Sequence, residues 1–145
     1  MNFSFTEKNI KEIESILGNC LQSDTDSWVW KVEDSESKQS LMLSVYDNIG
    51  LGGNTKGCLI SVQTLQGYFE IHDCKGYLIL EPDEVIFLNA DNIKVSCMII
   101  GKRGTCSMYS NIKRELLNAD FNELDPAVLL SAMQLSLTES MIVDL

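Results

Sequence analysis

The sequence predicts an α+β fold: an N-terminal helix, an antiparallel sheet of six to seven strands, and two C-terminal helices, all in a single domain spanning residues 1–145. Three observations predict it. Apolar residues recur at helical spacing near the start of the chain, the period drops to two from Trp28 onward, and a dense apolar run returns after Asp125 and Pro126. Short strands separated by turns, with no helix between them, favour a meander with helices gathered on one face or at one end.

The first helix is set by Ile10, Ile13, Ile16, Leu17, Cys20 and Leu21. Thr6 is its N-cap and Glu7 suits the first turn. The polar run 22–26 ends it. Trp28, Trp30 and Val32 then alternate with Val29, Lys31 and Glu33. After the turn at 34–38, Leu41, Leu43 and Val45 alternate with Met42, Ser44 and Tyr46. The two runs read as a hairpin with one wet face, and the tryptophan stripe as core. Residues 47–57, with four glycines, read as a flexible hairpin connection. They lack the Gly-Lys-Ser/Thr ending and following helix of a phosphate-binding loop.

Further strands are expected at 58–64, 68–73, 77–80, 85–88 and 93–100, with turn residues between them. Residues 106–109 read as an edge strand or the start of the next helix. Ser110 caps a short helix through Ile112, Leu116 and Leu117. Asp125 as N-cap and Pro126 at the first helical position open a second helix to about Ser140. That helix is apolar on more than one side, through Val128, Leu129, Leu130, Met133, Leu135 and Leu137, so it must pack against the sheet or a partner.

Composition narrows function. Twenty-one acids against 11 bases give a net charge of −10, which repels phosphate backbones and steers a basic protein toward the chain. No apolar run is long enough to span a membrane, and the first residues lack the pattern of a signal peptide. Five cysteines (Cys20, Cys58, Cys74, Cys97, Cys106) without a C-x-x-C pair indicate small hydrophobes in a reducing cytoplasm rather than a disulfide framework.

Catalytic equipment is sparse. His72 is the sole histidine and shares a strand face with Glu70. A Cys74–His72 nucleophile pair is the one enzymatic arrangement the spacing offers, and Cys74 falls in a turn. No metal-ligand spacing or cofactor motif is present, so the expectation is a non-enzyme without cofactor or metal. Asp73, Glu81, Asp83, Glu84 and Asp91 fall in or beside successive hairpin turns. If alternate turns gather at one end of the sheet, they form with Glu70 an acidic rim for the lysines and arginines of a partner.

Two local or profile-level likenesses complete the reading. Leu129, Ala132, Ser136 and Glu139, with the run Ala132-Met133-Gln134-Leu135-Ser136-Leu137, resemble the ubiquitin-interacting motif, which implies an adaptor working through that helix. The acidic run expected upstream is reduced to Glu123 and Asp125, and Val128 and Leu130 make the far face apolar. Size and charge also resemble type III secretion chaperones, whose pattern places a helix between two groups of strands; none is read between Trp28 and Tyr109. In length, acidity, compactness and lack of catalytic residues, the chain resembles the immunity proteins of bacterial contact-dependent growth inhibition toxin systems. That resemblance implies a cognate toxin domain, often a basic nuclease, held so that its active site is blocked.

Overall fold

Thr6 starts the first helix as its sequence predicts, and Gly18 ends it early. The computed structural model describes residues 3–90 and 94–113. Helix α1 runs Glu7–Leu17. Thr6 Oγ1 accepts from the Asn9 amide at 3.2 Å, and Asn9 Oδ1 accepts from the Thr6 amide at 2.9 Å, a reciprocal cap satisfying two otherwise free donors. Ile10, Ile13 and Ile16 are buried along one stripe. Gly18 then takes φ +88°, a region glycine enters without steric cost, and the Trp30 indole donates to its carbonyl at 2.9 Å. Cys20 and Leu21 therefore lie beyond the helix expected to hold them. Leu21 is exposed, and its amide donates to the Val29 carbonyl.

Nine strands follow among the described residues, every neighbouring pair antiparallel and consecutive in sequence. The first sheet holds β1 (Gln22–Ser23), β2 (Ser27–Glu33), β3 (Ser40–Gly52), β4 (Thr55–Thr64) and β5 (Tyr68–His72), in that order. The second holds β6 (Gly76–Leu80), β7 (Glu84–Ala90), β8 (Lys94–Gly101) and β9 (Thr105–Lys113). The expected α+β arrangement with one sheet is thus corrected to a mostly β fold of two sheets with a single helix.

The split falls at residues 73–75. Asp73 takes φ +58°, the Cys74 amide donates to Cys58 in the first sheet at 2.9 Å, and the Lys75 amide donates to Leu88 in the second at 2.7 Å. The connection thus takes one bond from each sheet, and β6 pairs with β7.

Two further expectations change. The glycine-rich stretch 47–57 is a hairpin connection as expected, but most of it is paired strand rather than open loop, with β3 and β4 paired up to Gly52 and Thr55. Register shifts after Tyr46 and Gly50 bend it; Asn48 at φ +53° and Gly52 at φ +123° supply the irregular backbone. At the other end, residues 110–113 extend β9 instead of opening a helix at Ser110, because Lys113 and Ile112 are Cα partners of Lys94 and Val95. The helix expected from Pro126 to Ser140 lies outside the described residues.

The main core sits between the sheets. Trp30, Leu43 and Ile60 from the first meet Phe87, Met98 and Ile100 from the second, all wholly buried, and α1 adds Ile13. Burying one such side chain stabilises the fold by about 1.5–3 kcal/mol. The Trp30 stripe is core, as the alternation predicts.

The outer faces of the sheets differ. On the first, Val29, Met42, Ser44, Tyr46, Leu59 and Ser61 are half-buried. On the second, Ile86, Leu88, Val95 and Cys97 are buried in a separate apolar cluster, with Leu78, Leu80, Ile99 and Tyr109 packed against it. The second sheet is therefore apolar on both faces.

Candidate protein-binding surface

Meander topology decides where the turns go. Each strand reverses the chain, so successive turns alternate between the two ends of the fold. Turns 34–39, 65–67, 81–83 and 102–104 share one end. The Lys102 amide donates to the Asp83 carbonyl at 2.8 Å, and Gly104 lies against the backbone of Gln39 and Val32. The 73–75 turn lies at the opposite end of β6.

The predicted acidic rim is divided by this alternation. Glu81 and Asp83 are exposed and Glu84 is half-buried at one end. Asp73 sits at the other, with the Lys75 Nζ 2.8 Å from its carboxylate. Glu70 belongs to neither turn: it projects from the outer face of β5, 3.7 Å from the His72 Nε2. Asp83 is paired with Lys102 at 3.1 Å. Asp91 lies outside the described residues. The structure thus brings Glu81, Asp83 and Glu84 together and separates them from Asp73, and two of these carboxylates already face a lysine of the same chain.

At the first of these ends, the 65–67 turn carries a different surface. Leu65 is 81% exposed and Tyr68 53%, two of the three large hydrophobic side chains left open among the described residues; the third is Leu21. Leu65 and half-buried Phe69 line a groove with Ser37, Gln39, Ser40, Thr64, Gln66 and Thr105, while Tyr68 stands on the opposite face of β5, across from Gln63. Thr64 Oγ1 accepts from the amides of Gln66 and Gly67 at 3.1 and 3.0 Å, which fixes the turn that displays Leu65. The groove is lined mainly by hydroxyls and amides with Lys38 at its rim.

The outer face of the first sheet adjoins this corner. Its cross-strand rows are Lys31, Met42, Gln63 and Tyr68; Val29, Ser44, Ser61 and Glu70; and Ser27, Tyr46, Leu59 and His72. Polar and apolar side chains alternate over four strands. Among the described strands the order ends at β5, whose far side pairs with no other of them.

The Cys74–His72 arrangement does not assemble. Cys74 is buried, its Sγ donates to the Gly76 carbonyl at 3.2 Å, and burial pushes its thiol up to about 11. The His72 imidazole is exposed beside Glu70. The other thiols move the same way. Burial raises Cys97 to about 12 and Cys106 to about 11, and raises Cys58 further still, with the Asp47 carboxylate as the next cause. Burial, then Glu14, raises Cys20. None is poised as a thiolate at neutral pH. Among the described residues, no group of His, Cys, Asp or Glu is arranged to hold a metal ion.

Sequence reasoning missed Asp47. It is 9% exposed, the one charged side chain buried among the described residues. Its Oδ2 accepts from the Ser4 hydroxyl at 2.6 Å and the Phe5 amide at 3.1 Å; its Oδ1 accepts from the Asn48 amide at 2.9 Å and the Cys58 thiol at 3.0 Å. Four donors offset the desolvation of a carboxylate and tie the N-terminal strap to β3. The signal was present: Asp47 continues the inward alternation of Leu41, Leu43 and Val45. A second clasp joins α1 to β6, where the Tyr77 hydroxyl donates to Glu12 and accepts from Asn9, each at 2.8 Å.

No helix among the described residues is long and apolar enough to cross a membrane. Neither a family model, nor a curated protein, nor a solved structure matches this chain.

Proposed function

We propose that this chain is a non-enzymatic binding protein for a basic protein partner, and that it acts in the cytoplasm as an immunity-type inhibitor covering a cognate toxin domain. The observation that carries this reading is the position of Leu65 and Tyr68. Both are open to water at one corner, Leu65 at the 37–40 groove and Tyr68 on the outer face of the first sheet at its β5 edge. Exposed aromatic and aliphatic anchors ringed by hydroxyls and amides are the kind of surface on which a few residues supply most binding energy. The β5 edge offers backbone groups for strand addition.

The net charge of −10 supplies the long-range part. It accelerates encounter with a basic domain, and carboxylates such as Glu81 and Glu84 meet lysines and arginines that otherwise hold nucleic acid. Five free cysteines with raised thiol values suit a reducing compartment.

Co-purification with the product of the gene directly upstream tests the reading. The expected result is a complex that weakens as salt rises. Absence of a complex at micromolar concentration and low salt removes the proposal.

A further inference from the structure

The groove between the 37–40 and 65–67 turns differs from the rest of the surface in charge. The chain carries 21 acids, yet none lines this groove, and Lys38 is its one charged residue. Three other concavities of the described surface each hold two carboxylates: Glu33 and Asp34, Asp26 and Asp47, and Glu7 and Glu12. Asp34, in the neighbouring concavity, is already engaged. Its carboxylate accepts from the Ser37 amide and hydroxyl at 3.3 and 2.8 Å and lies in the field of Arg103. The floor of the groove is apolar, since Phe69 and Cys106 are half-buried and both pack against the main core. Its walls are polar and neutral. Thr64 spends its hydroxyl on its own turn, whereas Gln39, Gln66 and Ser107 turn their side chains to solvent. At about 610 Å³ the groove has the scale of a small-ligand cleft, which suits one side chain with the peptide groups beside it.

We propose that this groove receives an uncharged segment of the protein partner, with one apolar side chain seated on Phe69 and the adjoining peptide groups hydrogen-bonded to the hydroxyl and amide walls. The inference rests on the partner-binding reading and sharpens it, because the partner's lysines and arginines then bind elsewhere on the surface. A lysine or arginine entering the groove would lose water, meet no carboxylate and face Lys38 at the rim. A carboxylate would have to approach a chain of net charge −10. An uncharged apolar side chain incurs neither cost, and the neutral walls satisfy the polar backbone on either side of it. Charge thus speeds encounter, and the groove sets how long the complex lasts.

Cys106 reports on the groove from within, and Cys20, also half-buried, lies outside it. Peptide-resolved alkylation with N-ethylmaleimide compares the full-length chain alone and in complex with the product of the upstream gene. The complex is expected to slow Cys106 about tenfold or more and to leave Cys20 within about twofold. A Cys106 that keeps its free rate in the complex overturns the proposal and leaves the binding reading standing; no complex at all removes both. Dissociation rates then identify the charge of the occupant, since they read contacts whereas net charge acts on association. Ser107 lines the groove and is exposed, so its replacement leaves the core intact. Neither Ser107→Asp nor Ser107→Lys is expected to slow dissociation. A basic occupant makes the Asp variant dissociate about threefold or more slowly, and an acidic occupant does the same for the Lys variant. Either slowing overturns the proposal.

Discussion

A Cβ at Gly104 would lie 3.0 Å from the Gln39 carbonyl oxygen. The β8–β9 turn therefore touches the β2–β3 hairpin backbone to backbone, at φ +83° and with the Val32 carbonyl 3.2 Å from the same point. Both the space and the conformation favour glycine. Gly104→Ala is expected to destabilise the protein by about 1–3 kcal/mol. Urea unfolding measures it, with Gly53→Ala, at a positive φ but in open space, as the control for conformation alone.

Removing the Asp47 carboxylate leaves three donors, the Ser4 hydroxyl and the Phe5 and Asn48 amides, without this acceptor, while the Cys58 thiol keeps the Phe3 carbonyl at 3.1 Å. Asp47→Ala is expected to cost about 1–3 kcal/mol and to release the strap at residues 3–6. Limited proteolysis checks the location: cleavage ahead of α1 increases, while the sheets resist as before. Asp47→Asn retains one acceptor oxygen and is expected to fall between wild type and Asp47→Ala.

The fold as a whole is expected to weaken in alkali. Tyr77 is pushed up to about 12, by burial first and its hydrogen bond to Glu12 second, and burial takes Cys97 to about 12. Unfolded phenols and thiols ionise at about 10 and 8.5. Folded values above unfolded ones mean that these groups' contribution is complete below about pH 8.5 and is lost as pH rises through 9 to 12. Thermal unfolding followed from pH 7 to 11 is expected to be level at first and then to fall. Tyr77→Phe is expected to flatten the upper part of that decline.

Leu65 and Tyr68 support little of the fold because they are open to water. Leu65→Ala and Tyr68→Ala are expected to change stability by no more than about 0.5 kcal/mol. Each is expected to weaken the co-purified complex about tenfold or more. Equal affinity in both variants moves the binding surface elsewhere.

How much of this was legible in the sequence varies by element. Helix α1 and the β2–β3 hairpin stood out because each has one wet face, and the period shows: Trp30 and Val32 inward, Lys31 and Glu33 outward. The division into two sheets did not. Residues 77–80, 85–88 and 97–100 are nearly unbroken apolar runs, and such runs mean a strand buried on both sides. Read as ordinary strands of a single sheet, they gave the antiparallel pairs within each sheet but also a β5–β6 pair that the structure lacks, and the wrong layering. The strand pairing within 47–57 was hidden by its glycines, which serve bulges and a turn within paired strands. At the candidate surface, the acids were visible and their grouping was not, because turn parity separates Asp73 from Glu81 once every strand reverses. Leu65 carried no periodic signal; it is a single apolar residue in a polar turn.

The contrast between the outer faces has a consequence for engineering. A library randomised at Ser44 and Ser61 changes the surface the protein presents while leaving its layers intact, because neither side chain belongs to the apolar clusters of the two sheets. The same library at Leu78, Ile86 and Leu88 would test the architecture instead, since a polar residue there is pressed into an apolar seam. The first sheet is thus the place to alter what the protein recognises, and the second the place to learn whether it still folds.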